Sequence, residues 1–357
     1  MIQKIQSFVL AQRIYLSLLA ALCLIYGLLF HYGHPESAKA HESPQYNAFQ
    51  QAEKEFQRDL SLEGSLETLF QRKPLVASLF IGYSVVFVIL FFGGCYLMLG
   101  FFLSKKFRLR WLRFYPLEDK PWAFALLLRV IVHFLAISLG LNLFLSAAAK
   151  VFPEISSNAL ALIHTGFMDA AVAVIILFEL GFSWEKVRSF GFDLKGRSAW
   201  GEACFGLSGY MTVIPFFALV LFVIITIAQK FSYEPEPHPL VDIFLSQQKR
   251  DQWMIGFSIF LACFWGPFFE EIFFRGLCYP ILKQGMGALP GGIFSALFFA
   301  LIHRNEFAFL PIFLLGLGLV LLYEKRGNLI APIALHIFHN SLFIGYFFTA
   351  KALMGQG

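Results

Sequence analysis

The chain has 357 residues, 58% of them hydrophobic and 14% charged, with a net charge of +5. A soluble domain is about half apolar and about a quarter charged, so this composition, with a mean hydropathy of +0.68, excludes an ordinary globule and indicates a polytopic membrane protein in a lipid bilayer. The basic residues are dispersed among loops, which gives no nucleic-acid footprint, and the 45 phenylalanines suit a large lipid-facing surface.

Runs of about 20 apolar residues read as spanning helices. In chain order they fall near 12–31, 75–104, 122–149, 160–183, 200–229, 253–281, 288–303, 307–323 and 329–349. The expected fold is all-α, a polytopic transmembrane helix bundle of about nine spans, with the chemistry-bearing helices in the C-terminal part. Residues 1–33 read as an N-terminal anchor. "AKA" at 38–40 resembles a signal-peptide cleavage site, but it lies well past an apolar run that is itself long for a signal peptide. Residues 34–74 form a polar outer segment, and 46–71 have the apolar spacing of an amphipathic surface helix. Residues 75–229 make an N-terminal bundle, and 230–251 a second outer loop opened by "YEPEPHP".

Lys and Arg concentrate in three connections, 105–121, 184–199 and 325–326. With nine spans all three lie on one side together with the N-terminus, and that side is expected to be cytoplasmic in a bacterial-type cell membrane. The five cysteines all sit in apolar segments without a CxxC pair, as packing thiols rather than disulfides or a zinc cluster.

Ionisable residues inside membrane helices are functional-site candidates by default, and three groups stand out in the last four helices. In "FFEEIFFRG", Glu271 and Arg275 are four apart and share a helix face, whereas the adjacent Glu270 points about 100° away. One glutamate thus has a local cation and the other has none, a difference suited to an acid/base site. Gly266 and Gly276 permit close approach of other helices. In "FALIH", Phe299 and His303 share a face, and in "HIFHN", His336 and Asn340 do so, with two side chains able to donate hydrogen bonds; His339 flanks that face. At about 1.5 Å per residue, Glu270, His303, His336 and Asn340 are all compatible with one mid-membrane layer. The remaining intramembrane polar residues, Arg129, His133, His164, Asp169, Glu179 and Glu202, read as interhelical pairs or interfacial groups.

"EEIFFR", "FALIH" and "HIFHN" fit EExxxR, FxxxH and HxxxN in order and separation. The trio resembles the CPBP (also ABI) family, which holds CAAX prenyl proteases of the Rce1 type and bacteriocin-processing or immunity-type membrane proteins. The resemblance covers about residues 250–345 and marks 252–350 as a catalytic core. It implies a glutamate-dependent intramembrane endopeptidase acting on a membrane-associated protein or peptide. By motif, Glu270 is the general base, Glu271 supports it and is held by Arg275, His303 positions the water, and His336 with Asn340 stabilises the oxyanion. Amide hydrolysis needs such a base and such donors. No cofactor is expected. Two histidines and a glutamate are also a zinc-ligand set, but HExxH is absent and Asn340 suits an oxyanion better than a metal. Two rival readings are a catalytically silent scaffold or immunity-type binding protein and, more weakly, a transporter, for which no inverted repeat is visible.

Overall fold

The computed structural model describes residues 2–33, 70–71, 73–111, 123–194, 196–231 and 252–353. The expected helix over 46–71 and the outer loop 230–251 fall almost wholly outside the described residues. Among those described, every regular element is helical. In chain order they are α1 (Ile2–Ala11), α2 (Arg13–Gly33), α3 (Pro74–Leu103), α4 (Lys105–Trp111), α5 (Phe124–Val151), α6 (Ser157–Glu179), α7 (Trp184–Val187), α8 (Ala199–Lys230), α9 (Gln252–Met286), α10 (Ala288–Ile302), α11 (Glu306–Arg326) and α12 (Ile330–Leu353).

Seven of these, α3, α5, α6, α8, α9, α11 and α12, are long and apolar enough to cross a membrane. The chain is therefore an all-α, multi-pass membrane protein. The other two predicted spans exist as apolar helices, along Arg13–Leu29 of α2 and as the fifteen-residue Ala288–Ile302. Fifteen residues of α10 reach about 22 Å, short of a hydrocarbon core of about 30 Å.

Local sequence explains the helix ends. Ser156, Ser198 and Asn305 accept hydrogen bonds from backbone N–H groups in the first turns of α6, α8 and α11, satisfying donors that the helix itself leaves open. Gly327 ends α11 at φ 65°, a left-handed conformation that glycine adopts without steric cost.

Helix α8 packs along α12, α3 and α11, and α5 packs against α2 and α6. A Cβ on Gly206 would lie 2.3 Å from the Ala331 carbonyl oxygen, so α8 meets the start of α12 backbone to backbone and only glycine fits there. The central turn of α9, Gly266–Glu271, is wedged between α6 and α12.

Two of the basic connections meet at the same end of the bundle. Glu202, 1% exposed, accepts from Arg326 Nε and Nη2 at 2.7 and 2.6 Å, accepts from Asn328 Nδ2 at 2.8 Å and pairs with Arg197 Nη1 at 3.2 Å. The third connection reaches this end through Phe107 of α4, which shares a cavity wall with Lys325 and Arg326. Between α5 and α6, Glu179 pairs with Arg129 and His133 at 3.7 and 3.1 Å, and His164 Nε2 meets Ser138 Oγ at 3.3 Å. These are the interhelical contacts expected of them. All five cysteines are free thiols; Cys263 and Cys278 are buried, while Cys23 and Cys204 are exposed along their helices.

Candidate active site

Helix α9 carries both glutamates and is not a regular α-helix. Its segments Leu261–Trp265 and Ile272–Cys278 are π-helical, with Gly266 N–H bonding the Leu261 carbonyl and Tyr279 N–H bonding the Phe274 carbonyl. The first widening has a sequence cause. Pro267 has no N–H, so the Ala262 carbonyl has no π-type donor five residues on. Its α-type donor, Gly266 N–H, is already taken by Leu261. Asn340 of α12 fills the gap, its Nδ2 donating to the Ala262 carbonyl at 2.7 Å.

Glu271 and Arg275 are both completely buried. Arg275 Nη1 donates to Glu271 Oε1 at 2.8 Å, Nη2 donates to the Gly316 carbonyl of α11 at 3.1 Å, and the guanidinium lies 4.6 Å from the centre of the Phe299 ring. A cation removed from water needs such compensation on several sides. The expected local pair is present and also ties α9 to α10 and α11.

His336 of α12 is 2% exposed, and its Nδ1 meets Glu271 Oε1 at 2.9 Å. A carboxylate oxygen only accepts, so Nδ1 carries the proton and Nε2 is the free nitrogen of the neutral ring. Nε2 lies 3.8 Å from Glu270 Oε2, beyond hydrogen-bond distance. This refines the sequence expectation: the neutral ring has spent its donor on Glu271, and Nε2 donates only in the imidazolium form.

Glu270 keeps 28% of its side chain exposed and lines a cavity of about 360 Å³ walled by α5, α6, α9 and α10. Asp169 of α6 is in the same wall. A Cβ on Gly266 would lie 3.6 Å from Glu270 Oε1 and 3.8 Å from Asp169 Oδ2, so both carboxylates lie beside that glycine. Asp169 is the residue near the site that sequence reasoning set aside. Nothing local marked it, because it is about a hundred residues from Glu270.

His303 stands just past the end of α10, as its C-cap, with Nδ1 donating to the Phe299 carbonyl at 2.6 Å and its ring edge-on to Phe299 at 4.7 Å. Its Nε2 is thereby the acceptor nitrogen. Phe299 also contacts the His336 ring at 5.7 Å and the Arg275 guanidinium. His303 therefore joins the group through Phe299, whereas Glu270, Glu271, Arg275 and His336 are direct neighbours. Asn340, one turn after His336 on α12, meets α9 at Ala262, eight residues before Glu270. His339 faces away toward α8, where Nδ1 meets the Tyr210 hydroxyl at 2.9 Å.

Asn340→Ala is expected to leave the Ala262 carbonyl without its donor at a partly buried position and to cost about 1–3 kcal/mol. Thermal unfolding in detergent checks this; an unchanged midpoint would mean that the bond does not hold the widened turn.

Residues 252–342 match the family model described as type II CAAX prenyl endopeptidase Rce1-like. No curated protein and no solved structure matches the chain. The matched segment holds both glutamates, Arg275, His303, His336 and Asn340, the residues of the three motifs. The C-terminal helices of this membrane protein are thus similar to the Rce1-like family over residues 252–342.

Proposed function

We propose that the protein is an intramembrane endopeptidase in which Glu270 is the general base. The observation that supports this reading best is the division of labour between the two glutamates: Glu271 is locked to Arg275 and His336 in full burial, while Glu270 borders a cavity. A base must reach a water and a substrate carbonyl, and of the two glutamates Glu270 is the one so situated.

In this reading a water lies between Glu270 and His303, giving one hydrogen bond to the carboxylate and one to His303 Nε2. Its oxygen attacks the scissile carbonyl as its proton passes to Glu270. The oxyanion takes hydrogen bonds from the second N–H of the Asn340 amide and from Nε2 of a His336 that enters the cycle as an imidazolium paired with Glu271 and keeps both its protons throughout, so that the water's proton is the only one transferred. Glu270 then returns the proton to the leaving amine as the C–N bond breaks. Arg275 fixes the Glu271 carboxylate and, through it, the His336 ring. Low local dielectric strengthens each of these interactions in a pre-organised site. The substrate is a membrane-associated protein or peptide, and its cleaved end enters from the Glu270 cavity. We read the clustering of Lys and Arg in the three connections as support for a cytoplasmic N-terminus.

The same reading makes the reaction independent of a bound metal. Proteoliposomes containing the full chain, supplied with peptides bearing or lacking a C-terminal prenyl thioether, are expected to cleave at least one class, at a rate unchanged by 1,10-phenanthroline. Loss of cleavage with chelator and its recovery with zinc would replace the glutamate-base mechanism by metal activation of water.

A further inference from the structure

Away from the glutamates, two cavities of about 520 and 390 Å³ run together between α3, α8 and α11, sharing Leu97, Thr212, Val213, Gly318 and Leu321 in their walls. Together they make one groove with two chemically different ends. At one end Lys325 and Arg326 line it beside the ring of Phe205, with Lys325 Nζ 6.0 Å and Arg326 Cζ 4.2 Å from the ring centre. Phe107 closes this end, and it belongs to α4, whose Lys105 and Lys106 are exposed. The other end is walled by Phe101, Phe102, Phe216, Leu314 and Leu317. Phe102 and Phe216 are 67% and 49% exposed on helices that span the membrane, so this end opens to lipid rather than to water.

We infer that this groove is a binding site for a diacyl phospholipid with an anionic headgroup. The shape and charge require an amphiphile: a negative group at Lys325 and Arg326, and a chain at least several carbons long against the phenylalanines. No carboxylate is among the described residues that line either cavity; Glu202, just outside the lining, holds Arg326 at 2.6 Å, so an anion at this end would share that guanidinium with Glu202 and meet Lys325 beside it. The two hydroxyls in the wall do not compete for the role of donor. Ser208 Oγ donates to the Phe205 carbonyl at 2.8 Å and Thr212 Oγ1 to the Gly209 carbonyl at 2.7 Å, so recognition rests on the cations. Basic pockets between membrane helices are where anionic headgroups bind. The basic end lies with the other Lys- and Arg-rich connections, on the face of the bundle where an anionic leaflet would supply the ligand. The inference is independent of the peptidase reading, because it uses none of the same residues and its test does not measure cleavage.

The full chain, purified in a neutral detergent, would be titrated with palmitoyl-oleoyl phosphatidylglycerol, with the corresponding phosphatidylcholine and with inorganic phosphate, and the retained ligand read by native mass spectrometry. The wild type is expected to hold one phosphatidylglycerol in preference to phosphatidylcholine by about five-fold or more, the worth of one cation near a headgroup. K325M should remove about five-fold of that preference. T212F, which fills the apolar part, should reduce retention of both lipids. Midpoints of thermal unfolding would show that both variants fold. Equal retention of the two lipids by the wild type, or an unchanged preference in folded K325M, would overturn the inference. So would inorganic phosphate alone occupying the site as tightly as the lipid, which would make it a free-anion site.

Discussion

Glu270→Gln is expected to lower peptide cleavage by about 10²–10⁴-fold, the usual contribution of a positioned general base, while leaving the protein folded. The two expectations are separable because of where Glu270 lies. Its side chain is 28% exposed at a cavity wall, and His336 Nε2 is at 3.8 Å, too far for a hydrogen bond. Glutamine has the same shape, so the substitution removes a base without removing packing, and stability should change by no more than about 0.5 kcal/mol. Cleavage in proteoliposomes and thermal unfolding of the same preparation check both halves. Cleavage at the wild-type rate would reject Glu270 as the base. A companion measurement separates enzyme from scaffold: in cells lacking the protein, full rescue by Glu270→Ala and His303→Ala would favour a binding role over catalysis.

Arg275→Met should have the opposite signature, a large loss of stability followed by loss of activity. Arg275 is completely buried and serves Glu271, the Gly316 carbonyl and the face of Phe299 at once. Methionine fills part of the space but leaves the Glu271 carboxylate without its cation. Breaking a buried pair from one side costs about 3–5 kcal/mol. Removing both charges is cheaper, so Arg275→Met with Glu271→Leu should recover a substantial part of the stability. It should not recover cleavage, since Glu271 also holds the His336 ring through Nδ1. Denaturant unfolding of the single and double variants in detergent gives the comparison. A single-variant cost below about 1 kcal/mol would show that the pair is solvated in a way its burial denies.

How much of the site was legible in sequence depended on whether a contact lies within one helix or between two. Glu271 with Arg275, and Phe299 with His303, are four residues apart, and helical geometry alone brings such pairs together; both are in contact. The pairing of His336 with Glu271 could not be read in the same way. Depth arithmetic put His336 level with the glutamates, but which glutamate it meets depends on how α9 and α12 are rotated about their axes. Two π-helical stretches in α9 alter that rotation. Asn340 illustrates the limit further. Pro267 is visible in the sequence, yet its consequence, an Ala262 carbonyl open to the Asn340 amide, exists only once the turn has widened. Asp169 and Glu270 share a cavity wall beside Gly266, where α6 approaches α9, a juxtaposition that no local pattern announces.

The sequence by itself determined the membrane class, the helical content, the approximate position of each apolar helix and the residue types of the three motifs. Those are properties of single segments: apolarity summed along a run, and side chains set at fixed intervals by a helix. Only the tertiary structure decided that Glu271 rather than Glu270 holds His336 and that Asp169 faces the cavity. Each depends on helix rotation and crossing, which close packing at a few points such as Gly206 and Gly266 fixes across elements far apart in the chain.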